Sequence, residues 1–296
     1  MIENKGTVTE LNYDLIASLS GDGLWLGLNY FADQIDKEIQ NQLISQLMAK
    51  YVDVSKQLEI KNGQLKEYGE HLEELVQEKV DEISESQTAT IYALVRAAES
   101  RDDETGKHIE RTSLFCKLIA EKLYEAGLYP DIIDRTYAEN ISKASLLHDI
   151  GKIGIKDSIL LKPGRLTHEE FEIMKNHVNI GYETLAGAKE LYPGNVFLNI
   201  GIEVAKYHQE KWDGSGYMHG LAGNEIPLSA RIMALSDVYD ALRSKRVYKE
   251  PFSHEKASAI IAEGRGSHFD PVIIDIFIEN NLLFDEIYER LSVEKS

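Results

Sequence analysis

The pair His148–Asp149 is where residue type and spacing first point to chemistry. It closes the apolar run "ASLLHDIGKIGI", and the pattern predicts a helix that stops at Gly151 as its C′ residue. Two ionisable neighbours directly after a leucine pair are costly when buried without partners. A helix C-terminus accounts for His148, which can interact with the last carbonyls. It does not account for Asp149, whose charge opposes the helix dipole. A cation bridging both side chains removes the conflict, so a metal site is the better reading of this pair.

Asp237 is a second candidate. In "SARIMALSDVYDAL" it shares a helical stripe with Ala230, Ala234 and Ala241, so its carboxylate is expected to be buried and to need a partner. A salt bridge or a metal would serve. His177 adjoins the stripe Phe171, Met174, Val178, where a lone histidine is more often a satisfied core residue than a ligand. Glu104 and His108 lie four apart and share a helix face, which suits joint coordination; "RDDETGKHIE" also reads as a solvated helix start. His208 belongs to "YHQEKWDGSGYMHG", which holds more metal- and phosphate-binding groups than a surface turn requires. Each of the nine histidines, taken singly, reads better as an ordinary residue, and their association with carboxylates carries the metal reading.

The elements that must position these groups read as helices. Ile91, Leu94, Val95 and Ala98 mark one; Ile109, Thr112, Cys116, Ile119 and Leu123 mark the next at steps of three and four. A third runs from about Asp131 to His148–Asp149, and Thr167 with Glu170 forms a capping-box signature for a fourth. Further helices are predicted at about 196–208, 229–243, 254–263 and 271–281, and no alternating strand pattern occurs. The domain from about residue 87 to 296 is therefore expected to be all-α. Before it, residues 1–60 form a short segment of unassigned role, with a helix from about Asp33. Residues 61–86 form a helical stalk: Leu58, Leu65 and Leu72 recur every seven residues, followed by Val76, Val80 and Ile83. That spacing fits a short coiled coil and a single amphipathic helix equally.

Bulk composition limits the partners. The net charge of −18 opposes DNA binding, so an anionic ligand needs metal ions or a local cationic cluster such as Arg243, Lys245, Arg246 and Lys249. No apolar run is long enough to span a bilayer, and the start "MIENKGTVTE" lacks a signal-peptide layout. A single cysteine, Cys116, fits a cytoplasmic protein.

Taken together, "ETGKH", "HDIGK", the isolated His177, "HQEKWDGSGY" and "SDVYDALRSKRVYK" resemble the motifs of the HD-GYP family in order and approximate spacing, over about residues 70 to 280. The resemblance implies an all-α HD-superfamily domain with two or three divalent transition-metal ions, iron or manganese. It also implies hydrolysis of cyclic di-GMP to pGpG and GMP in bacterial signalling. Carried over by position, the metal ligands fall on Glu104, His108, His148, Asp149, His177, His208 and Asp237. Asp149 would bridge two ions, with His108, His148 and Asp237 around one and His177 and His208 around the other. Lys152 matches the lysine that assists the chemistry, Arg246 and Lys249 the pair that grips phosphates, and Tyr217 the motif tyrosine beside the substrate. Two metals about 3.5–4 Å apart would supply a nucleophile at neutral pH and neutralise the phosphoryl charge.

Two positions depart from the family's pattern. A second histidine normally follows the first; here Gln209 stands there, a poorer donor for a transition metal. Met218 replaces the motif proline, which unsettles any docking of a diguanylate cyclase-type partner on that loop. Two other readings stay open: a phosphodiesterase preferring cyclic GMP–AMP, and a catalytically weak cyclic-dinucleotide sensor signalling through the stalk. A homodimer through the stalk would suit either.

Overall fold

The computed structural model of the chain describes residues 21–99, 106–245 and 250–293. Among them there are helices and no strand; Arg265 and Phe269 make an isolated bridge. The chain divides into two compact units, residues up to Glu82 and residues from Ile83 onward.

The helix α1, Gly21–Glu99, begins earlier than the expected Asp33 and takes in the patch that follows Gly21. No proline precedes Pro130, so nothing in this stretch interrupts the backbone hydrogen-bond ladder. Within the first unit, Leu58, Leu65, Leu72, Val76 and Val80 carry their apolar side chains on the surface; Leu65 is 67% exposed. Ion pairs such as Lys37–Asp33 and Lys79–Glu82 link neighbouring turns, and exposed pairs of this kind stabilise little.

The second unit contains the rest of the helices. They are α2 (Gly106–Glu125), α3 (Tyr137–Ser145), α4 (Asp157–Leu160), α5 (His168–Lys175), α6 (His177–Leu191) and α7 (Val196–Tyr207). After them come α8 (Leu228–Arg243), α9 (His254–Glu263), α10 (Pro271–Glu279) and α11 (Asn281–Val293). The expected stripe of α2 is buried throughout, from Ile109 to Leu123. Its Phe115 joins Tyr239, Phe277 and Phe284 in an aromatic cluster with ring centroids 4.8–5.5 Å apart. That cluster anchors α2, α8, α10 and α11 to one core.

A smaller core gathers Val95, Ile109, Leu146, Leu147, Leu185, Ile202 and Ala205. It lies behind the segments that carry the candidate ligands. Leu94, expected on the same buried stripe as Val95, is instead exposed; Ile91 and Tyr92 pack there with Val95.

The helix before His148 ends sooner than its sequence pattern indicates. α3 stops at Ser145, and the chain continues in tight turns: Leu147 N–H reaches Ala144, His148 N–H reaches Ser145 and Lys152 N–H reaches Asp149. A 3-10 turn then spans Ile150–Gly154. Gly151 is inside it and does not cap an α-helix. A Cβ on Gly151 would stand 1.9 Å from the His177 carbonyl oxygen and 2.5 Å from the Gly181 nitrogen. Only glycine lets this turn press against the start of α6. The helix α5 starts as expected, with both halves of the Thr167–Glu170 capping box formed.

Candidate metal centre

Five segments deliver the candidate residues to one place. His108 lies in the first turn of α2, His148 and Asp149 in the turn after α3, and His177 at the first position of α6. His208 is the C-cap of α7, and Asp237 lies in α8. The ligand atoms of His108, His148 and Asp237 all fall within 4.8 Å of one another, and so do those of Asp149, His177 and His208. Asp149 joins the two groups, since its Oδ2 is 3.3 Å from His148 Nε2 while its Oδ1 is 3.2 Å from His177 Nε2.

The imidazoles are oriented from behind. His148 Nδ1 faces the Ser145 carbonyl at 2.8 Å, His177 Nδ1 the Met174 carbonyl at 2.8 Å and His208 Nδ1 the Val204 carbonyl at 3.0 Å. A carbonyl only accepts, so each Nδ1 carries a proton, and the tautomer that binds a metal is the one whose Nε2 lone pair faces inward. His177 and His208 thus aim Nε2 atoms at each other across 3.4 Å, with Asp149 Oδ1 3.2 and 3.6 Å away. This is a buried pocket of electron donors, and a cation is what such a pocket suits. Two donors about 2.1 Å from a shared ion stand about 3–4 Å apart. The separations in the Asp149 group and the 3.8 Å between His108 Nε2 and Asp237 Oδ1 lie in that range. The donor set therefore fits divalent metal.

Electrostatics agree with the geometry. Burial alone would raise the Asp149 carboxyl, but Lys152 and His148 outweigh it and hold the group well below the usual carboxylate range. Burial depresses His208 against the opposing pull of Asp149, which favours the neutral, metal-binding ring. Lys152 reaches Asp149 because side chains three apart nearly eclipse in a 3-10 turn. Its ammonium stands 2.8 Å from Asp149 Oδ2. In an α-helix Lys152 would lie one turn after His148, whereas the tighter turn aligns it with Asp149.

The glycine-rich loop after His208 is built by backbone contacts. A Cβ on Gly216 would come within 2.4 Å of the Lys211 nitrogen, so the loop closes on itself only with glycine there. Trp212 is structural: its backbone N–H donates to the His268 carbonyl and its ring faces the Arg231 guanidinium. Arg231 in turn pairs with the buried Asp270 at 2.6 Å. Gln209 is half-buried and its carbonyl accepts the Tyr217 N–H. Burial raises the Tyr217 hydroxyl, as do the charges of Asp149 and Asp237, against Lys152.

Not every expected residue takes the expected place. Asp237 keeps 23% of its side chain exposed, so it is not sealed in the core. Arg243, counted in the cationic cluster, is buried and committed to Asp285 and Glu289. Lys245 is exposed beside Glu250, 3.9 Å away. Glu104, Arg246 and Lys249 lie outside the described residues. His254 lies outside both groups and contacts Tyr239 and Asn281.

Asp240 and Arg111 escaped the sequence reading. Asp240 Oδ2 is 2.8 Å from His108 Nδ1 and 2.9 Å from Arg111 Nη2. Burial would raise this carboxyl, but Arg111 and His108 hold it low. The available signal was spacing: Asp240 follows Asp237 by three and Arg111 follows His108 by three, on the same helix faces.

The HD domain profile matches residues 96–273. Over 228 residues the chain is 48% identical to a probable cyclic di-GMP phosphodiesterase of Vibrio cholerae serotype O1, covering 77% of this chain and 52% of that protein. It is 50% identical over 198 residues to a cyclic di-GMP phosphodiesterase of the same organism, covering 67% of this chain and 40% of the relative. It is also 40% identical over 199 residues to that organism's 3'3'-cGAMP-specific phosphodiesterase 2, covering 67% of this chain and 36% of the relative. The chain spans about half, or less, of the length of these curated relatives. Among the described residues no helix is long and apolar enough to cross a membrane.

Proposed function

The chain belongs to the HD-domain family, in its HD-GYP branch, and from that premise we propose that it hydrolyses cyclic di-GMP to pGpG and GMP with two or three bound iron or manganese ions. The observation that carries this reading is the donor pocket in which His177 and His208 point Nε2 atoms at each other beside Asp149. His108, His148 and Asp237 would hold one ion, His177 and His208 another, and Asp149 both; Glu104 completes the set by its position in the motif. Divalent cations bound there supply a nucleophile at neutral pH and charge stabilisation for the phosphoryl group.

The protein's own groups do the rest. Asp149, held ionised, spans the two groups of donors. Lys152, 2.8 Å from Asp149 Oδ2, donates a proton or hydrogen bond to the leaving oxygen. Tyr217 borders the same space and orients the phosphodiester, while Arg246 and Lys249 neutralise its negative charge. The acidic surface elsewhere makes this local positive charge necessary.

The relative named as specific for 3'3'-cGAMP supports a second reading, in which a mixed dinucleotide is preferred. Gln209 and Met218 support a third, a sensor with weak turnover. Exposed leucines along α1 support a homodimer through the stalk. The single cysteine accords with a cytoplasmic location for the protein. Product analysis after incubating the metal-loaded chain with cyclic di-GMP and with 3'3'-cGAMP separates these readings. Linear or mononucleotide product from cyclic di-GMP is expected; binding without product would replace the enzyme by the sensor.

A further inference from the structure

We propose that Phe171 and Lys175 form a purine-binding subsite beside the metal centre, with one base of the dinucleotide stacked on the Phe171 ring and the Lys175 ammonium donating to the acceptor edge of a guanine. The inference rests on the reading above, that the substrate is a cyclic purine dinucleotide.

The helix α5 contributes no buried residue, so the core does not require it. It is nonetheless firmly placed. Thr167 and Glu170 cap it reciprocally, and Glu170 also receives the Lys162 ammonium. Its Phe171 remains 43% exposed. That ring meets Tyr217 edge-on, with centroids 6.0 Å apart and planes at 77°. The Lys175 ammonium lies 5.2 Å from the Phe171 centroid and 5.6 Å from that of Tyr217. Two separate segments thus make a single aromatic and cationic patch.

The patch is tied to the metal centre from both sides. Lys175 lies two residues before His177, and the carbonyl of Met174, the residue just before Lys175, orients the His177 ring. Tyr217 is fastened through its N–H to the carbonyl of Gln209, the neighbour of His208. The charges of Asp149 and Asp237 also act on the Tyr217 hydroxyl. A dinucleotide with its phosphodiester at the metal centre therefore has Phe171 and Lys175 within the reach of its base.

The chemistry favours a purine there. An exposed phenyl ring offers a flat apolar face, and removal of a stacking ring typically weakens binding about tenfold or more per base. An ammonium has only donors. Guanine presents O6 and N7 acceptors on one edge, whereas adenine sets an amino donor beside N7. Lys175 would thus favour guanine. Glu172, 2.6 Å from the Lys175 ammonium, holds that side chain on the patch.

The test uses the full metal-loaded chain with Phe171→Leu, Phe171→Tyr and Lys175→Gln. Steady-state kinetics with cyclic di-GMP and 3'3'-cGAMP would be combined with equilibrium dialysis of labelled cyclic di-GMP and with metal analysis. Phe171→Leu keeps the apolar bulk and is expected to raise KM and Kd about tenfold, with metal content and kcat nearly unchanged. Phe171→Tyr keeps the ring and should restore both constants. Lys175→Gln should raise KM about fivefold for cyclic di-GMP and for 3'3'-cGAMP alike, since each carries a guanine that the single subsite can take. Unchanged KM and Kd in Phe171→Leu, or loss of metal in that variant, would overturn the inference. A wild-type chain that neither binds nor cleaves either dinucleotide would instead overturn the reading beneath it.

Discussion

His108 Nδ1 and Asp240 Oδ2 stand 2.8 Å apart, and the same carboxylate is gripped by Arg111. The pair fixes which nitrogen of His108 faces the cavity, as a carboxylate behind a metal-binding histidine generally does. Asp240→Asn is expected to lower metal affinity about 10- to 100-fold at the His108 position. It should also lower stability by about 3–5 kcal/mol, because buried Arg111 loses its counter-charge. Metal titration and denaturant melts check the two effects separately.

Asp149 is the only carboxylate placed between both groups of candidate ligands among the described residues. Asp149→Ala should therefore empty both ion positions together. Elemental analysis of the purified variant is the measurement, and wild-type metal content would contradict the bridging role.

Lys152 is paired with Asp149 and is not among the candidate metal ligands. Lys152→Met is expected to lower kcat about 10²- to 10³-fold, the usual size for losing a positioned proton or hydrogen-bond donor. Metal content should remain near that of the parent. A parallel loss of metal would mean that the lysine maintains Asp149 and leaves the leaving group alone.

Gly151→Ala should be far more damaging than Gly154→Ala. At Gly151 the new Cβ meets the His177 carbonyl at 1.9 Å, and backbone must move. At Gly154 it meets only the Ile180 side chain, at 2.9 Å, which can shift its rotamer. Gly151→Ala is expected to separate Asp149 from His177, so metal content and melting temperature should fall together. Gly154→Ala should keep its metal.

Leu65 and Leu72 lie seven apart on the exposed surface of α1. Replacing both with Lys should convert a dimer into monomers in light scattering, as charges at a coiled-coil seam do. A parent chain that is already monomeric at tens of micromolar, roughly the range of a weak coiled coil, would remove the stalk as a dimer seam.

The sequence by itself determined the helical class, the course of α2, the capping box that opens α5 and the identity of most candidate ligands. Periodicity and capping are local, so Ile109 to Leu123 could be read directly as one buried stripe. The family motifs then named His108, His148, Asp149, His177, His208 and Asp237, residues that the fold draws together from distant segments. Tertiary structure decided the rest. Where α3 ends was not legible, because the apolar run continues through Leu146 and Leu147 into a second small core although the α-helix stops at Ser145. Nor was the demand for glycine at position 151, which comes from the backbone of α6 pressing on the turn. Arg243 read as a free cation until Asp285 and Glu289 met it from α11. Asp240 gains its meaning from His108 and Arg111, 132 and 129 residues away along the chain. Residue types and local spacing carry the donors; the partners that orient those donors belong to other helices, and only packing brings them within hydrogen-bond distance.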